Sequence, residues 1–214
     1  MNKKNREQVI FPSVIARNQA ELDKVLKKLR RVSPNIHLDV VDGTFAPGHS
    51  LDFPFRLPPH RHYRAHLMIE NPEPWIKKNI HRIELFIPHF EEIKDPFKYI
   101  AWMKRLKRKV AWAILPETKV TVLEPYLRRV DQVLILTVHP GFYGGKYLKS
   151  ELNKIKLIKT INPAIQIIVD GGMNPRTIRE AARKGADLFV SGSYVTGSKD
   201  PKGAITTLQK SIRL

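Results

Sequence analysis

The sequence predicts an α/β fold, a (β/α)8 TIM barrel with a shortened, proline-rich second crossover, and three observations carry that prediction. Short apolar runs rich in β-formers alternate with amphipathic stretches of helical period along the whole chain. Eight such runs can be marked, which is the count that closes a parallel barrel. Polar residues interrupt these runs near their carboxy-terminal ends, where a barrel gathers its functional groups.

The expected strands are Val9–Ile15, Asn35–Val41, Tyr63–Met68, Arg82–Pro88, Val110–Leu115, Gln132–Val138, Ile165–Val169 and Leu188–Ser191. Helices are expected at Gln19–Arg30, Pro72–Asn79, Pro96–Lys107, Val120–Arg128, Lys149–Lys159, Pro175–Lys184 and Pro201–Ile212. Asn174 before Pro175 and Asp200 before Pro201 are good N-caps, and Gly185 stops the helix that begins at Pro175. Between Gly43 and Tyr63 stand Pro47, Pro54, Pro58 and Pro59, so a regular helix is not expected in the second crossover. An open doubly wound sheet is the rival architecture. Ser13, His37 with Asp39, His66, Thr137, Asp170 and Ser191 with Ser193 come from six strand ends, and a closed ring can bring these to one point.

At 214 residues the chain is read as a single domain, 1–214, able to bury a core without disulfide support. It has no cysteine, which excludes a disulfide scaffold, a thiolate metal site and a cysteine nucleophile, and suits a reducing cytoplasm. The apolar stretch after the charged start is interrupted by Pro12 and Arg17, and no run reaches membrane-spanning length. A soluble, cytoplasmic protein with no membrane partner is expected. The net charge of +18 raises the question of nucleic acid. However, the densest basic clusters, Lys27–Arg31 and Lys104–Lys109, fall where helices end, and no nucleic-acid motif accompanies them. The charge equally suits attraction of an anionic sugar phosphate.

On a strand His37 and Asp39 share one face, while Leu38 and Val40 share the other. Two polar groups on a buried face need a compensating partner. With His66 and Asp170 they make a two-histidine, two-carboxylate set suited to a divalent ion such as Zn²⁺, Fe²⁺, Mn²⁺ or Co²⁺. Glycine turns at Gly141–Gly145, Gly171–Gly172 and Gly192–Ser193 are candidate phosphate cradles, because backbone amides of such turns bind anions.

Six motifs then resemble the ribulose-phosphate 3-epimerase family, in order and along nearly the whole chain. They are Pro12-Ser13, the stretch from His37 through Asp39 and Asp42-Gly43 to Pro47, His66-Leu67-Met68, the stretch from Thr137 to Phe142, Val169 to Gly172, and Val190 to Ser193. The resemblance implies one divalent metal ion held by His37, Asp39, His66 and Asp170, with Asp39 and Asp170 as the catalytic acid/base pair. It implies substrate contacts from Ser13, His66, Gly141, Phe142, Tyr143, Gly144, Gly171, Gly172, Gly192 and Ser193, and a homo-oligomer. The chemistry agrees, since inverting a carbon beside a carbonyl requires proton removal on one face and return on the other. The implied reaction interconverts ribulose 5-phosphate and xylulose 5-phosphate at C3. The alternatives are a 3-epimerase of a six-carbon ketose phosphate such as allulose 6-phosphate, and a basic non-catalytic barrel that binds an anion or RNA.

The chain departs from the family pattern at several places. Val41 and Leu136 replace methionines, Gly48 stands where asparagine is usual, and Tyr143 and Gly145 alter the glycine loop. Arg64 occupies a position that is often acidic, which is expected to leave His66 without a carboxylate to orient it. Related decarboxylase and synthase barrels carry a lysine in the motif after the second strand. Here Asp39 and Asp42 enclose only Val40 and Val41, which disfavours that chemistry.

Overall fold

The computed structural model describes residues 9–141 and 145–213. Eight parallel strands form the sheet: β1 Val9–Val14, β2 Asn35–Val41, β3 His62–Met68, β4 Leu85–Pro88, β5 Ala111–Ile114, β6 Gln132–Leu136, β7 Gln166–Asp170 and β8 Leu188–Ser191. Their order is β4-β3-β2-β1-β8-β7-β6-β5. One parallel bridge between His89 and Ala113 brings β4 against β5 and closes the barrel. The seam therefore lies one residue beyond the short β4.

Alternate residues along each strand face two different cores. Inside the barrel lie Phe11, Leu85, Ile87, Ala111, Ala113, Leu134, Leu136, Ile168, Leu188 and Val190. Outside it, residues such as Leu38, Val40, Ala65, Leu67, Val133, Ile135 and Val169 pack under the helices. Burial on both faces explains why the strands read as nearly continuous apolar runs.

The helices are α1 Gln19–Lys28, α2 Glu73–Asn79, α3 Pro96–Arg105, α4 Asn153–Ile161, α5 Pro175–Arg183, α6 Ser193–Thr196 and α7 Pro201–Arg213. Asn174 caps α5 with a capping box completed by Thr177, and Asp200 Oδ1 accepts from Gly203 N at the start of α7. Lys27 and Lys28 end α1, and Lys104 and Arg105 end α3, where cations complement the helix dipole. No helix among the described residues is long and apolar enough to cross a membrane.

The helix expected from Lys149 opens as a 3₁₀ turn over Lys149–Leu152 before α4 begins, and two other expected elements differ more. The helix expected over Val120–Arg128 is instead two 3₁₀ turns, Val120–Val122 and Leu127–Arg129. Pro125 lacks an N–H and disfavours helical geometry at Glu124, and the β-branched run Val120-Thr121-Val122 weakens what precedes it. The strand expected from Arg82 begins only at Leu85, because Arg82 N and Ile83 N both bond to Asn79 O and finish the end of α2.

The second crossover contains no helix. It folds back so that Val41 and Ser50 exchange two backbone hydrogen bonds of 2.8 and 3.0 Å. Asp42 shapes its start: Oδ1 accepts from Thr44 N and Phe45 N, and Oδ2 accepts from Glu70 N at 2.8 Å. Burial would raise the Asp42 carboxyl, but these amide donors outweigh it and hold it below the usual range.

A candidate metal and proton-transfer centre

Strand register brings the polar residues of β1, β2 and β3 to neighbouring positions inside the barrel. Ser13 pairs with His37, His37 with Arg64, and Asp39 with His66. Asp170, the last residue of β7, approaches from the other side of β1 and β8. Together His37, Asp39, His66 and Asp170 offer one ligand atom each, all within 4.8 Å of one another.

The individual separations are informative. His37 Nε2 lies 3.4 Å from Asp39 Oδ1 and 3.9 Å from Asp170 Oδ2, and His66 Nδ1 lies 3.6 Å from each carboxylate. These are long for hydrogen bonds, and His37 Nε2, His66 Nδ1 and Asp39 Oδ1 are buried without a hydrogen-bond partner among the described residues. Atoms bound at about 2.0–2.2 Å around a tetrahedral ion stand about 3.3–3.6 Å apart. The donor set, its spacing and its orphaned polar atoms therefore fit a divalent cation.

The electrostatics are those of a tightly coupled cluster. Burial would raise the Asp39 carboxyl, but the facing His37 and His66 rings outweigh it and hold it well below the usual carboxylate range. Burial opposes a charge on His66, yet Asp170 and Asp39 outweigh it and raise this ring to about 9. Both histidines are fully buried, whereas the Asp39 and Asp170 side chains retain 10% and 15% exposure. The carboxylates reach the space above the cluster.

That space is a cavity of about 230 Å³ at the carboxy-terminal mouth of the barrel. Ser13, Asp39, His66 and Asp170 line its floor, and Gly141, Gly171, Gly172, Gly192 and Ser193 lie along its wall. Gly141 has φ +96°, and a Cβ there would come within 2.6 Å of Pro47 Cδ, so glycine lets the loop after β6 close onto the second crossover. Gly171 has φ +106°, and a Cβ there would stand 2.6 Å from Val138. Both glycines thus satisfy backbone geometry as well as bordering the cavity. Gly192 precedes the short α6, whose first turn leaves amides without intrahelical partners. The expected contacts of Phe142, Tyr143 and Gly144 lie outside the described residues.

Two of the polar strand-end residues turn away from the cavity. Thr137 Oγ1 lies 2.6 Å from Gly171 O and 2.9 Å from Asp170 O, and Ser191 Oγ donates to Met173 O. They pin the loop after β7. Arg64 lies inside the barrel below His66, stacked 3.5 Å over the Phe11 ring, and burial lowers its guanidinium to about 10.

One residue of this neighbourhood escaped the motif reading. His89, just past β4 and fully buried, places Nε2 2.9 Å from His66 Nε2 and Nδ1 3.3 Å from Glu91 Oε2. Burial first, and the facing His66, push His89 down to about 4, against the pull of Glu91. The spacing His89-Phe90-Glu91 at a strand end was the available signal.

A (β/α)8 barrel whose strand ends converge on buried histidines and carboxylates beneath a glycine-walled cavity has the layout of a small-molecule enzyme. The model of the ribulose-phosphate 3 epimerase family matches residues 9–196, and the chain belongs to that family. It is an isomerase of the epimerase type. A ribulose-phosphate 3-epimerase of Candida glabrata is 30% identical, over 96% of this chain and 92% of the relative. One from Aquifex aeolicus is 31% identical, over 90% and 91%. Among solved structures, a 3-keto-L-gulonate-6-phosphate decarboxylase from Vibrio cholerae superposes with a TM-score of 0.69 at 9% identity, covering 96% of this chain and 97% of that one. The 3-hexulose-6-phosphate synthase from Salmonella typhimurium gives 0.67 at 14% identity, covering 96% and 99%. At these identities the structural neighbours show the fold alone.

Proposed function

We propose that the chain is a metal-dependent 3-epimerase that interconverts ribulose 5-phosphate and xylulose 5-phosphate. The observation that carries this reading is the convergence of His37, Asp39, His66 and Asp170 within 4.8 Å beneath the cavity, in a member of this family. His37 Nε2, Asp39 Oδ1, His66 Nδ1 and Asp170 Oδ2 would hold the ion. When bound, a divalent cation there supplies Lewis-acid stabilisation of the negative charge that develops on the substrate as the C3 proton leaves.

The remaining work falls to the protein. Asp39 and Asp170 approach from strands on two sides of β1 and β8, so each faces one side of a sugar lying across the cavity floor. One carboxylate removes the C3 proton, and the other returns a proton to the opposite face. Running the reaction backwards exchanges their roles. Ser13 and the amides at Gly141, Gly171, Gly172, Gly192 and Ser193 hold the substrate and its phosphate. The apolar barrel interior below the cluster excludes water from the proton-transfer site. A chain without cysteine suits a reducing, cytoplasmic setting.

The test is a proton NMR assay of ribulose 5-phosphate in D₂O with metal-loaded and chelated protein. The loaded protein should form xylulose 5-phosphate carrying deuterium at C3, and chelation should stop both. Loaded protein that neither exchanges the C3 proton nor forms product sinks the reading.

A further inference from the structure

We infer that His89 and Glu91 are positioning residues: they fix the proton of His66 on Nε2 and so keep its Nδ1 lone pair facing Asp39 and Asp170. This rests on the proposed metal centre and adds to it a directed chain of hydrogen bonds across the barrel seam.

The chain can be followed from its outer end. Glu91 Oε1 accepts from Leu115 N at 3.0 Å and from the Thr118 hydroxyl, both just beyond β5. These donors hold the carboxylate so that Oε2 faces His89 Nδ1 at 3.3 Å. A carboxylate only accepts, so the His89 proton is placed on Nδ1 and its Nε2 becomes an acceptor. That nitrogen stands 2.9 Å from His66 Nε2, which must then carry the proton of the second ring. With a cation in place of the proton that Asp39 and Asp170 otherwise favour there, what remains on His66 is the Nδ1 lone pair, buried, without a hydrogen-bond partner among the described residues and 3.6 Å from each of two carboxylate oxygens. Each bond leaves one polarity for the next, and the series ends with an unshared electron pair where a cation ligand is needed.

The packing holds this arrangement. The His89 backbone makes the bridge to Ala113 that closes β4 onto β5. Its ring is fully buried, 5.0 Å from the His66 ring centroid on one side and 4.4 Å from that of Phe45 on the other. Phe45 stands in the loop that Asp42 organises. A ligand histidine gains basicity and a fixed orientation when its other nitrogen donates to a partner that ends in a carboxylate. In this chain Arg64 offers no carboxylate from beneath, and Glu91 reaches His66 through His89 instead.

The experiment uses the full chain and zinc alone, without substrate. Zinc affinity is measured by competition with a chelating indicator for the wild type, His89→Leu and His89→Gln, alongside unfolding of each metal-free protein. A glutamine carbonyl can accept from His66 Nε2 and a leucine cannot, while both fill similar space. Leucine should weaken zinc binding by about 10- to 100-fold, and glutamine should recover most of that loss. In zinc-loaded wild type labelled with ¹⁵N-histidine, long-range proton–nitrogen correlation should show protons on His66 Nε2 and His89 Nδ1. This readout stands even if a variant fails to fold. A proton on His66 Nδ1, wild-type zinc affinity in His89→Leu, or equal losses in the two variants would overturn the inference while leaving the metal centre standing. A wild-type chain that takes up no zinc overturns both.

Discussion

The barrel interior has two unlike halves. Strands β2, β3 and β7 turn His37, Asp39, Arg64, His66 and Asp170 inward, whereas β4, β5 and β6 turn in Leu85, Ile87, Ala111, Ala113, Leu134 and Leu136. Both halves share the same pleat and the same burial on two faces, so backbone geometry does not distinguish them. The difference lies in what compensates the buried groups. The apolar half is stabilised by leaving water and by close packing, and its side chains need no partner. The polar half contains buried nitrogen and oxygen atoms that lack hydrogen-bond partners among the described residues and that the proposed cation would satisfy. One half is stable as it folds, and the other would be completed by the proposed ion.

This contrast can be broken from either side. The largest effect is expected from Asp170→Asn, which removes a proposed proton carrier and a proposed metal ligand together. Turnover should fall by roughly 10²- to 10⁴-fold with the melting temperature of the metal-free protein nearly unchanged, measured by NMR assay and calorimetry. Chelation should stop turnover and lower the melting temperature of the wild type, because a ligand that binds only the folded state stabilises it. The same chelation should lower the melting temperature of Asp170→Asn by less, because the variant offers the ion one carboxylate fewer.

In the other half the signs reverse. Leu134, wholly buried in the apolar interior, can be truncated to alanine at a cost of about 2–5 kcal/mol, read by denaturant unfolding. Turnover per folded molecule should survive. A loss of activity as deep as that of Asp170→Asn, with little loss of stability, would show that the apolar half does more than pack.

The smallest effect is expected at Asp42, which touches neither half. Asp42→Asn keeps an acceptor for Thr44 N and Phe45 N but can set an amide against Glu70 N, for a partly solvated loss of about 1 kcal/mol at pH 7. The folded pKa of Asp42 lies below its unfolded value, so its contribution is present above the unfolded pKa and is lost as pH falls through the folded one. The gap between wild type and variant should therefore narrow in acid, as followed by unfolding at successive pH values.

The polar half was largely legible in the sequence, and the reason is spacing. His37 and Asp39, two apart, must share a face, and His66 and Asp170 end other apolar runs where polar groups need a purpose. All eight strands were marked for a related reason, since burial on both faces leaves continuous apolar runs. Alternation carried more information than was drawn from it. Leu136 and Val190 face the interior, so Thr137 and Ser191, one residue on, face outward and pin the loop after β7. His89 was hidden for the opposite reason: a histidine after an apolar run followed by Phe90 has the pattern of ordinary core packing. Its partner His66 is on the neighbouring strand, and that pairing exists only once β3 and β4 lie side by side. The turns over Val120–Arg128 replaced a helix because Pro125 and the β-branched residues prevailed over amphipathic period. The resemblance, carried by separated short motifs, was robust to such local errors.

In the proposed reaction Asp39 and Asp170 each serve one face of the substrate. The most direct measurement follows C3 proton exchange in D₂O for Asp39→Asn and Asp170→Asn, each metal-loaded and each given ribulose 5-phosphate and xylulose 5-phosphate separately. The account predicts that each variant exchanges the C3 proton of one epimer only, that the two variants choose opposite epimers, and that neither completes the inversion. A single variant that exchanges both epimers, or that still interconverts them at the wild-type rate, would contradict it.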